Sequence, residues 1–90
     1  MLFEPVIKIL NKSREEKCDI LVARDKLCIG VDPTGTDLEK ACKFILENYD
    51  AVTKCRRMND EGRLERLVTA FETDEKAFKE MLEELKEIEA

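Results

Sequence analysis

Histidine and tryptophan are absent from this 90-residue chain, and tyrosine occurs once. Without histidine, the commonest general base and metal-ligating side chain is missing, which excludes histidine-dependent triads and zinc hydrolases built on it. With only one tyrosine and four phenylalanines, aromatic stacking platforms are scarce. Glycine and proline are also few, three and two, and the chain has no Gly/Ser linker, low-complexity tract or tandem repeat. No apolar run approaches the roughly 18 residues that a membrane-crossing helix needs. The first ten residues, MLFEPVIKIL, include Glu4 and Pro5 and are followed by no small-residue cleavage site, so a signal peptide is not expected. These absences together predict a cytoplasmic protein with no membrane partner.

A cytoplasmic location predicts that Cys18, Cys28, Cys42 and Cys55 are free thiols. Structural zinc sites usually contain a tight C-x-x-C pair, whereas these cysteines are ten or more residues apart. Three of them lie on apolar stripes, where a thiol packs as a small hydrophobe. No metal and no cofactor are therefore expected. Cys55, flanked by Lys54 and the pair Arg56-Arg57, is the best placed for redox chemistry.

Charged residues make up 41% of the chain and apolar residues 43%, a balance that suits a small helical protein with a large wet surface. The net charge of −5 is uneven: residues 1–58 sum to +1 and residues 59–90 to −6. An acidic chain repels nucleic acid and anionic membranes on average, so neither is expected as a partner. A partner of the C-terminal half should be neutral or basic.

Periodicity supplies the architecture. Leu64, Phe71, Phe78 and Leu85 occupy one position of a seven-residue repeat, and Leu67, Met81 and Ile88 occupy another. Such a seam packs on a helix, in the same chain or in a partner. Asp74 interrupts it, which predicts a break near Thr73 and helices over about 63–72 and 74–88. The wet face of the last helix carries Glu80, Glu83, Glu84 and Glu87.

Upstream, Pro5 suits the first turn of a short helix over about 5–10. Ser13-Arg14-Glu15-Glu16 reads as a capping box opening a helix over 14–29, with Gly30 and Pro33 as its stop signals. The competing reading is a β-hairpin at about 18–31, because Ile20–Ala23 and Leu27–Val31 are two apolar runs around Arg24-Asp25-Lys26. A second capping box, Thr36 to Glu39, opens a long helix over 37–57. Asn59–Gly62 reads as a turn.

The loop Asp32-Pro33-Thr34-Gly35-Thr36 resembles the Asp-x-Thr-Gly-Thr phosphorylation motif of P-type ATPases and, more loosely, that of haloacid-dehalogenase phosphatases. The resemblance implies an aspartate nucleophile at the end of a parallel strand, here Leu27–Val31. It covers five of ninety residues, and Pro33 stands where those families place a lysine or an acidic residue. The chain is too short for the doubly wound sheet that positions magnesium and lysine in them. A turn followed by an N-cap accounts for every residue of the loop. Gly30 and Gly35 are spaced like the glycines of a P-loop, but Thr36 and Asp37 replace its lysine and hydroxyl.

The expectation is an all-α fold, a small bundle of four to five helices forming a single domain over 1–90, with α+β as the alternative. The expected core is Val6, Leu10, Leu21, Val22, Leu38, Ile45, Val52, Leu64, Leu67, Phe71, Phe78, Met81 and Leu85. The expected function is a non-catalytic protein–protein interaction module that binds a protein partner or forms a homodimer. Its contact residues would be Phe78, Met81, Leu85 and Ile88, with Glu80, Glu83, Glu84 and Glu87 around them. An acidic inhibitor or nucleic-acid mimic, using these glutamates with Glu65 and Glu72, is the second reading. A phosphate-handling enzyme at Asp32 is the remote one.

Overall fold

Helices account for all the regular structure in residues 2–88, the part of the chain that the computed structural model describes. They are α1 (Phe3–Glu16), α2 (Ile20–Leu27), α3 (Asp37–Glu47), α4 (Tyr49–Arg57), α5 (Glu61–Thr73) and α6 (Glu75–Glu87). The all-α expectation holds, with six helices among the described residues in place of four to five. The hairpin alternative fails, since no strand occurs among them. The helices divide into two compact units, described residues 2–47 with α1–α3 and 48–88 with α4–α6.

In the first unit the chain continues helically past the expected end at Leu10, with Pro5 in its first turn. Ser13 lies in the last turn of α1 and opens no helix. Its hydroxyl donates to the Cys18 carbonyl, and Lys17 turns left-handed at φ 51° to end the helix. The supposed capping glutamate, Glu16, instead forms ion pairs with Lys12 at 3.3 Å and with Lys26 of α2 at 3.5 Å. The N-cap of α2 is Asp19, whose carboxylate accepts from the Val22 N–H at 2.9 Å.

Helix α2 packs against α1 and α3. Ile20 and Ala23 are buried, while Leu21 and Val22, both expected in the core, are exposed. Helix α2 ends at Leu27 and not at Ile29, which is 81% exposed. Gly30 follows at φ 79°, a left-handed conformation that favours glycine.

The second capping box forms with a shifted partner. The Thr36 hydroxyl accepts from the Glu39 N–H at 3.4 Å, but the Glu39 carboxylate reaches the Gly35 N–H, one residue upstream of the expected one. Helix α3 buries Ala41, Cys42, Phe44 and Ile45 against α1 and α2.

The long helix expected over 37–57 breaks at Asn48, whose backbone sits at φ −122° and ψ 35°. The apolar stripe runs on through the break, yet its two halves serve different cores. Ile45 is buried in the first unit, and Val52 and Cys55 in the second. Tyr49, on the same stripe, is exposed.

In the second unit, α4 ends with Lys54, Arg56 and Arg57 in its last turn, where cations complement the negative helix end. The turn expected at 59–62 contains Asn59 at φ 55° and then Asp60, which caps α5. Leu64, Leu67 and Val68 of α5 are fully buried. The break expected near Thr73 is present, with Asp74 as its pivot. The Asp74 N–H closes α5 on the Ala70 carbonyl at 2.7 Å, and its carboxylate opens α6 by accepting from the Ala77 N–H at 3.2 Å. The Thr73 hydroxyl donates back within α5, to the Thr69 carbonyl.

Of the remaining expected core residues, Val6, Ile45, Val52, Leu64, Leu67 and Leu85 are buried. Leu10, Leu38, Phe78 and Met81 are half-buried, and Phe71 is exposed. Leu2, Ile9 and Phe44 are buried without having been expected. Among the described residues, no helix is long and apolar enough to cross a membrane.

Candidate interaction surface

The C-terminal residues expected to make contacts fall on the two faces of α6, except Ile88, which follows its last turn. Leu85 is 2% exposed, packed inside its own unit. Phe78, Met81 and Ile88 are half-buried beside it, while Glu80, Glu83, Glu84 and Glu87 are exposed. The heptad seam therefore folds back on itself at Asp74, so that α5 and α6 pack together as an intrachain hairpin. At its tip, Phe71 and Phe78 meet edge to face. The Lys54 ammonium donates to the Leu85 carbonyl, tying α4 to the last turn of α6.

A different surface emerges in the first unit. Between α2 and α3 lies an open groove of about 440 Å³. Leu21 and Arg24 line it from α2, and Cys42, Lys43 and Leu46 from α3. Leu21 is 47% and Leu46 46% exposed, so two large apolar side chains meet water in one concavity. Helical phase produces this surface: α2 turns Ile20 and Ala23 inward and leaves Leu21 outward, and α3 buries Cys42 and Ile45 while Leu46 stays outside. On the rim, the Arg24 guanidinium bonds the Asp25 carboxylate at 2.9 Å. Leu21 was expected in the core, and Leu46 was not among the expected contact residues. The Leu21 outcome belongs to the phase of α2, whose inward residues are Ile20 and Ala23, and the Leu46 outcome to that of α3.

The loop that carries the phosphorylation-like motif forms two nested turns. The Asp32 carboxylate accepts from the Thr34 N–H at 3.0 Å, and the Thr36 hydroxyl donates to the Pro33 carbonyl. The bond from the Thr34 backbone lowers the pKa of Asp32 below its ordinary value of 3.8. The strand that the resemblance requires at Leu27–Val31 is replaced by the end of α2 and an irregular loop.

All four cysteines are free, with Cys28, Cys42 and Cys55 buried and Cys18 half-buried. Burial raises the pKa of the Cys55 thiol, against the expected activation by Lys54, Arg56 and Arg57, and the cation that opposes the shift is Arg63. Burial likewise raises that of Cys42, with Arg24 opposing it. No protein-family model, curated protein or solved structure matches this chain.

Proposed function

We propose that the protein is a small, non-catalytic helical module for protein–protein interaction, and that the groove between α2 and α3 is its principal docking face. The observation that supports this reading is the joint exposure of Leu21 and Leu46 in one concavity. Such a groove accepts an amphipathic helix, whose apolar residues at i and i+3 or i+4 cover the two leucines. The partner is another protein or a second copy of this chain, met in the cytoplasm. Native mass spectrometry of the protein purified from its own host tests the reading. A stoichiometric protein complex or a homodimer is expected, and both should disappear in a Leu21→Glu/Leu46→Glu variant that keeps its helical circular dichroism. A bare 10.4 kDa chain at every concentration would contradict it.

A second reading, the acidic inhibitor or nucleic-acid mimic, draws on the exposure of Glu80, Glu83, Glu84 and Glu87 along α6. It requires a basic partner whose capture weakens steeply as salt is added. Binding that is insensitive to salt excludes it.

A further inference from the structure

We draw no further inference here: the strongest candidate, the open groove between α2 and α3 over Leu21, Cys42 and Leu46, is the face already proposed for docking, and its rim mixes Arg24, Lys40 and Lys43 with Glu39 and Glu47, so nothing in the structure shows what covers it.

Discussion

Phe71 of α5 and Phe78 of α6 pack edge to face across the turn at Asp74, with ring centroids 5.2 Å apart and planes at 68°. This geometry sets the positive edge of one ring against the negative face of the other. It also shows what the seven-residue spacing accomplishes, since two equivalent heptad positions become neighbours once the helix folds back. A double-mutant cycle with Phe71→Ala and Phe78→Ala, read by urea unfolding, should give a coupling of about 0.5–1.5 kcal/mol. Strict additivity of the two losses would show that the rings do not support each other.

Asp74 serves both helices of that hairpin, ending α5 through its N–H and starting α6 through its carboxylate. Asp74→Ala removes the cap from α6 and leaves the backbone bond to α5. The expected loss is about 1 kcal/mol, with Asp74→Asn retaining most of the stability. Thr73→Ala should change stability by less, because its hydroxyl bonds back within α5. A larger loss for Thr73→Ala than for Asp74→Ala would reverse the assignment of the cap.

Among the described residues, three carboxyl groups have lowered pKa values in the folded chain. The Arg63 N–H lowers that of Asp60, the Thr34 N–H that of Asp32, and hydrogen bonding from Lys12 that of Glu16. A folded pKa below the unfolded one means that the unfolded chain binds more protons in between. The contribution of these groups is complete above their ordinary values, 3.8 for the aspartates and 4.5 for Glu16, and is lost as pH falls through the folded values. Stability should therefore be flat in pH from neutral down to about 5 as far as these groups are concerned, then decline. An Asp60→Asn variant should decline less steeply across the acid range. Unfolding midpoints measured against pH check this, and parallel acid limbs for variant and wild type would contradict it.

The thiols should differ in reactivity by accessibility. Cys18 is half-buried near the α1–α2 turn, whereas Cys42 and Cys55 are about 1% exposed and their thiols are shifted towards the neutral form by burial. Iodoacetamide added to the folded protein should alkylate Cys18 first, and peptide mass spectrometry locates the adduct. Cys42 and Cys55 should react only on unfolding, because the thiolate is the nucleophile. Early labelling of Cys55 would restore it as a redox candidate.

The fold class was legible because the apolar residues recur at helical spacing in every segment outside the turns. Asp74 announced its break by placing a carboxylate in an apolar seam, and Thr36 with Glu39 announced the start of α3. Two errors had physical causes. Ser13 and Glu16 have the residue types of an N-terminal box, but the same hydroxyl also suits the end of a helix, where it donates to a carbonyl. At Asn48 nothing in the local pattern stops a helix. The break is set by tertiary packing, since Ile45 and Val52 belong to the cores of different units. The candidate groove was hidden because α2 packs on α1 and α3 through Ile20 and Ala23, which leaves Leu21 at the surface.

Docking at the groove between α2 and α3 is tested by photo-cross-linking in the native host. A benzoylphenylalanine is placed at Leu46 in the groove or, as a control, at the exposed Lys76 on α6. One defined, stoichiometric protein adduct is expected from position 46, lost when Leu21→Glu is added, and none of that adduct from position 76. An adduct from position 76 with none from position 46, or no adduct from either, would contradict it.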